Sequence, residues 1–186
     1  MNPLDRPIIG FCAYSGNGKT TLLRRLIPLL DGQGLRVGLV KHAHHEFEVD
    51  YPGKDSFELR KAGASQVVVA SRNRMACISE FRESKSEPTL QEALIPLCPD
   101  QLDLVLVEGF KRETIPKIEL HRSALGSPLI CSNDSHVVAV ATDDPGLDTG
   151  VPGMTLLDLN RPVQISDFLL DYLGFKRWKQ ARQGIG

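Results

Sequence analysis

Residues 13–20 read AYSGNGKT and stand between the apolar run PIIGFC and the helical pattern TTLLRRL. A strand, a glycine-rich turn and a helix in that order make a phosphate cradle. Backbone N–H groups converge where the helix dipole is positive, and an anion is what they can hold. The stretch matches the Walker A phosphate loop except for alanine at the first glycine position, where a small residue suffices. Ser15, Gly16, Asn17, Gly18, Lys19, Thr20 and Thr21 are therefore the expected phosphate-binding residues. Lys19 is expected to bridge β- and γ-oxygens and to act in catalysis, and the Thr20 hydroxyl to ligate Mg²⁺. A glycine turn without a ligand explains the glycines but not the Gly-Lys-Thr-Thr that opens the helix. Because Tyr14 follows Ala13, the second lysine of the deviant form of this motif, which acts across a dimer, is absent.

The runs PIIGFC, LRVGLV, SQVVVA, LDLVLV and HVVAVA are short, β-branched and apolar without alternation. Such runs suit strands covered on both faces, as in a parallel sheet. Helical patterns lie between them. Thr20 to Leu30 reads as one helix, with Pro28 expected to loosen its last turn. Asp55 with Glu58, and Thr89 with Glu92, have the spacing of helix caps, and Gly63 and Pro96 mark the stops. A last helix spans Ser166 to Leu173. The order predicts an α/β P-loop NTPase fold, a doubly wound, mostly parallel sheet flanked by helices. One domain is expected over residues 1–175, with a basic, frayed tail over 176–186.

Acids and bases nearly balance at a net charge of −1, which argues against a broad footprint for nucleic acid or an anionic membrane. The four cysteines show no C-x-x-C spacing and read as reduced core thiols. The first residues are too polar for a signal peptide and no run is long enough to span a bilayer, so a soluble, cytoplasmic protein is expected.

Two strand ends carry acids. LDLVLVEGF places Glu108 at the end of a buried strand, where a carboxylate beside the phosphate-loop strand can hold the water shell of a metal; Glu108 is thus a candidate metal and catalytic residue. HVVAVATDDP ends in Asp143 and Asp144, and a strand-end carboxylate can accept from N1–H and N2–H₂ of guanine. Asp143 is the expected reader, with Asp144 the alternative. Between residues 41 and 64, Asp50 is a candidate for the metal shell or for orienting water, a catalytic role. Lys41, Lys54 and the histidines His42, His44 and His45 would line the crevice; the histidine spacing fits no known zinc pattern.

The pieces AYSGNGKTTLL, GLVKHAHH, VDYPGKDSFELRKAGA, LDLVLVEGFK and ATD together closely resemble the molybdopterin-guanine dinucleotide biosynthesis protein B (MobB) family over about residues 6–145. The resemblance implies a GTP-binding protein acting late in molybdenum cofactor synthesis. It would be an adapter for the guanylyltransferase (MobA), which joins GMP to molybdopterin. It also implies GTP with Mg²⁺ as the bound cofactors, weak hydrolysis and a homodimer. Carried over, Gly16 to Thr21 would hold phosphates, Thr20 and Glu108 the metal, and Asp143 the guanine. Lys111 and Arg112 could meet the phosphate of molybdopterin, a further candidate ligand.

Weak hydrolysis agrees with the residues themselves, since no glutamine is placed to orient water and no arginine motif announces a finger; Arg72, Arg74 and Arg112 are the exceptions to weigh. Two other functions share parts of the pattern. A small-molecule kinase has the same loop and strand-end acid, but usually adds an arginine-bearing lid. A metallochaperone GTPase would rest on the histidine cluster alone.

Overall fold

The computed structural model describes residues 4–43, 47–81 and 87–175. His44, His45 and the tail 176–186 fall outside them. The chain divides into two compact units, residues 1–42 with 97–186, and residues 43–96. The expectation of a single domain over residues 1–175 does not contain that division.

The first unit is built on strands β1 (Ile8–Cys12), β2 (Val37–Lys41), β5 (Leu104–Glu108), β6 (Lys117–His121), β7 (Val137–Thr142) and β8 (Thr155–Asp158). They form one sheet in the order β2-β5-β1-β6-β7-β8, and every pairing is parallel. The fold is the P-loop NTPase fold read from the sequence.

Strand periodicity sorts the side chains. Ile9 and Phe11 of β1, Leu104 and Leu106 of β5, Ile118 and Leu120 of β6, and Ala139 and Ala141 of β7 join one apolar cluster. Helix α1 (Lys19–Gly32) contributes Leu22, Leu23, Leu26 and Leu30 to it, and helix α4 (Pro162–Tyr172) contributes Ile165, Leu169 and Leu170. These spacings put the leucines of α1 on one helical face. Fully burying each such side chain stabilises by about 1.5–3 kcal/mol before entropy is counted.

Helix α1 continues through Pro28, and its last turn is closed by the Gln33 N–H donating to Leu29 O at 3.2 Å and Leu30 O at 3.0 Å. The expected loosening is not seen, because Pro28 removes a single donor and the flanking bonds remain. Helix α4 begins earlier than its sequence pattern, at Pro162, a residue whose missing N–H is unneeded in the first turn.

On the other face of the sheet lie Cys12 and Val140, packed with Cys131, Val137 and partly buried residues of the segments 129–130 and 147–156. The same face of β6 carries Lys117, Glu119 and His121, all buried. Each charge has partners. The Lys117 ammonium donates to the carbonyls of Lys111 (3.1 Å) and Glu113 (2.6 Å) and pairs with Asp134 at 2.7 Å. The Glu119 carboxylate accepts from the N–H groups of Ile130 (2.7 Å) and Cys131 (2.8 Å). Space for the lysine stem comes from Gly10, where an added Cβ would lie 2.7 Å from Lys117 Cγ.

The expectation of core thiols holds at two of the four cysteines. Cys12 and Cys131 are core thiols, pushed up by burial to about 12 and about 11, but Cys77 and Cys98 are exposed. Nothing in a lone cysteine's neighbourhood announces burial when its strand is not.

The second unit holds helix α2 (Asp55–Lys61), an antiparallel hairpin of β3 (Gln66–Ala70) and β4 (Met75–Ser79), and helix α3 (Leu90–Leu94). SQVVVA is therefore a hairpin strand and not a buried parallel one; Val68 and Val69 are exposed, as is Met75 opposite Ala70. A run of valines carries the same signature in either setting. The Thr89–Glu92 capping box forms as expected, whereas the cap of α2 is Lys54, with Asp55 inside the first turn. Arg60 is the buried residue of α2, pairing with Glu48 at 2.6 Å and with Glu80.

Candidate functional site

The carboxyl ends of β2, β5, β1, β6 and β7 bring Lys41, Glu108, the loop after Cys12, His121 and Thr142 to one edge of the sheet. In parallel α/β sheets that edge is where ligands bind, at the point where the strand order reverses. Here β1 lies between β5 and β6, and the loop leaving β1 opens there.

The loop has the conformation that its glycines permit. Gly16 and Gly18 adopt φ of +84° and +87°, a region side chains disfavour, and Gly18 is the N-cap of α1. Asn17 is buried, its amide donating to Tyr14 O at 3.2 Å. The Lys19 ammonium donates to Ala13 O at 3.2 Å, folding back over the loop. Burial, followed by the nearby Lys111, holds the Lys19 ammonium below its ordinary pKa. The charge is thus poorly compensated, and an anion in the loop would stabilise it.

The expected metal pair meets. The Thr20 hydroxyl donates to Glu108 Oε1 at 3.1 Å, joining the start of α1 to the end of β5 across 88 residues of chain. Lys41 approaches Glu108 Oε2 at 3.5 Å. A hydroxyl and a carboxylate side by side are the hard oxygen donors that Mg²⁺ takes. Together with the glycines and Lys19 they suit a nucleoside phosphate carrying that cation. Ser15 and Thr21 are exposed at the two ends of the loop.

Beyond Glu108 the chain turns sharply. Gly109 has φ of +96°, and a Cβ on it would lie 2.7 Å from His42 Cβ. Phe110 follows at φ of +49° and stacks on the His42 ring at 4.6 Å between centroids. A bulky residue held in that region stores strain, a feature that gathers at functional sites. Lys111 then sits over the Tyr14 ring at 4.9 Å.

Asp143 follows β7 and accepts from the Ser123 N–H at 3.0 Å and from Arg122 Nη1 at 3.1 Å. The Ser123 N–H, then Arg122, hold its carboxyl below the ordinary aspartate pKa. Asp144 instead closes a local turn, accepting from Gly146 N–H at 2.9 Å. Asp50 belongs to the second unit, where its Oδ1 accepts from the Tyr51 N–H at 3.0 Å.

Sequence reasoning missed Arg122. Its backbone N–H donates to Asn17 Oδ1 at 2.7 Å, so the residue after β6 is tied to the phosphate loop. The available signal was the alternation Lys-Ile-Glu-Leu-His just before it, a period of two that marks a strand.

A family model described as molybdopterin guanine dinucleotide synthesis protein B (MobB) matches residues 8–143. The chain is 47% identical over 180 residues to the molybdopterin-guanine dinucleotide biosynthesis adapter protein of Escherichia coli (strain K12), covering 96% of each. It is 45% identical over 168 residues to the protein of the same name from Haemophilus influenzae, covering 90% of this chain and 89% of that one. A crystal structure of molybdopterin-guanine biosynthesis protein B superposes with a TM-score of 0.66 at 26% identity, over 89% of this chain and 99% of that chain. On the match to residues 8–143 and the identity to these relatives, the chain belongs to the MobB family.

Proposed function

We propose that the chain is a GTP-binding, slowly hydrolysing adapter in the molybdopterin guanine dinucleotide step of molybdenum cofactor synthesis. It would assist the guanylyltransferase (MobA) that joins GMP to molybdopterin. The observation that carries the nucleotide part is the Thr20–Glu108 contact of 3.1 Å beside Lys19 and the two left-handed glycines. The adapter part rests on the names of the relatives at 47% and 45% identity.

In this reading Gly16, Asn17 and Gly18 turn N–H groups to the phosphates, while Lys19 binds β- and γ-oxygens. Thr20 and Glu108 hold Mg²⁺, which supplies neutralisation of the phosphate charge. Asp143 reads guanine. Its two oxygens are fixed by Ser123 and Arg122, yet each keeps a second lone pair. Lys111 and Arg112, after the turn at Gly109, would meet the phosphate of molybdopterin. A cytoplasmic homodimer completes the proposal, and the exposed Val68, Val69 and Met75 of the hairpin favour a second copy. Calorimetry with GTP, XTP and ATP, together with capture of the guanylyltransferase on immobilised protein, tests it. Equal affinity for ATP and GTP, or no capture, would overturn the corresponding half.

Asp143→Asn is expected to weaken GTP about tenfold to several hundredfold and to shift preference toward XTP. A bond from a charged acceptor contributes roughly 1.5–3 kcal/mol, and the new amide would face guanine's own NH₂. Xanthine offers an oxygen there instead. An unchanged order of preference among GTP, XTP and ATP would move the base reader to Asp144 or elsewhere.

A further inference from the structure

Arg122 is held at three points. Its N–H donates to the buried Asn17 side chain at 2.7 Å, and its Nη1 pairs with Asp143 Oδ2 at 3.1 Å. Its other nitrogens border Gly18, where an added Cβ would lie 3.8 Å from Nε and 3.9 Å from Nη2. The short turn that follows, Ser123–Leu125, lies against the same loop, since a Cβ on Gly16 would meet Leu125 at 3.7 Å.

This is a costly place for a cation. Gly18 caps the N-terminus of α1, whose dipole amounts to about half a positive charge, and Lys19 stands next to it. Asp143 opposes this repulsion from a side chain that is itself partly exposed. An anion in the loop would attract the guanidinium, the Lys19 ammonium and the helix terminus alike.

The sheet order says which part of the anion. Glu108 and Lys41 close the loop from the β5 side of β1, where the metal pair forms. Arg122 leaves β6, on the opposite side of β1, and reaches Gly18 and Asp143 at once. A group touching both the phosphate loop and the base-reading acid spans the stretch between phosphates and base.

We propose that Arg122 donates to the α-phosphate of the bound nucleotide, on its nucleoside side, with Asn17 and Asp143 as positioning residues. The inference rests on the GTP-binding reading above. Arg122 then adds affinity shared by every guanine nucleotide and takes no part at the γ-phosphate, so an arginine bordering the loop is compatible with slow hydrolysis.

The test compares the parent protein with Arg122→Ala and Arg122→Lys, using calorimetry with GDP and GTP, ligand-observed NMR with GMP and guanosine, and hydrolysis at saturating GTP. Arg122→Ala is expected to weaken GDP and GTP by the same factor, about 10- to 100-fold. GMP should also lose affinity while guanosine does not, and the saturated hydrolysis rate should stay within about threefold; Arg122→Lys should recover part of the loss. A loss confined to GTP, or a large fall in the saturated rate, would assign the guanidinium to the terminal phosphate. An equal loss for guanosine would put it against the base, and unchanged affinities would make the Asp143 pair structural; each overturns the proposal. Should Arg122→Ala not fold, Arg122→Lys carries the same ratios with smaller factors. Binding by the parent tests the nucleotide reading separately: if the parent binds no nucleotide both fall, and if it binds while the ratios stay at one, only this inference falls.

Discussion

Replacing Lys19 with alanine should weaken GTP at least about a hundredfold while leaving the fold intact. Its ammonium would make charge-assisted bonds to two phosphate oxygens, each contributing about 1.5–3 kcal/mol, and each 1.4 kcal/mol is a factor of ten. Within the loop the same ammonium donates only to the carbonyls of Ala13 (3.2 Å) and Tyr14 (3.5 Å) and is disfavoured by burial and by Lys111. Removing it therefore costs the unliganded protein little, and its melting temperature should hold or rise slightly. The two readouts separate binding from stability. Equal GTP affinity in parent and variant by calorimetry would show that the loop holds something other than a triphosphate.

The second large effect is on stability. Lys117→Met should lower it by roughly 3–5 kcal/mol, since removing one partner of a buried ion pair leaves the other charge uncompensated. Lys117 is 1% exposed and holds Asp134, Lys111 O and Glu113 O together, and methionine replaces its bulk but none of those donors. For a chain of this size the melting temperature should fall by about 6–20 °C. Adding Asp134→Asn should restore part of the loss, because the orphaned charge goes too. A fall under about 2 °C would mean that the pair is better solvated than its burial indicates. Since Lys117 also anchors residues 111 and 113, the single variant should loosen the turn after Glu108 as well.

Where the sequence was legible, one residue type carried one local meaning. The runs at β1, β2, β5 and β7 have no polar interruptions, and the phosphate loop and Glu108 can be placed by counting from them. The fold class, the Thr20–Glu108 pair and the strand-end acids follow from that alone. β6 was invisible for the opposite reason. Lys117, Glu119 and His121 look like a solvated face, and only loops that fold back from residues 111–113 and 127–134 make their burial possible. Arg122 was lost with it, since its partner Asn17 is 105 positions away. The converse error occurred at SQVVVA, where apolarity pointed to a core and the strand lies in an exposed hairpin. Asp50 was placed by its nearness in sequence to the histidines, which says nothing about which unit holds it.

The strand order also sets a timetable for synthesis. β1 pairs with β5 and β6 and with neither β2 nor β3, so once made it has no partner until the chain has grown past Glu108. At about 5–20 residues per second, that is roughly 5–20 s during which an apolar segment and its glycine loop wait unpaired. Closing so large a loop adds only a few kcal/mol of entropy over a short one, so the delay is kinetic rather than thermodynamic. The anchor that welds the loop, Arg122 to Asn17, arrives later still. The phosphate loop is thus made about 105 residues ahead of its own anchor, and Asp143, which the anchor also holds, follows another 21 residues on.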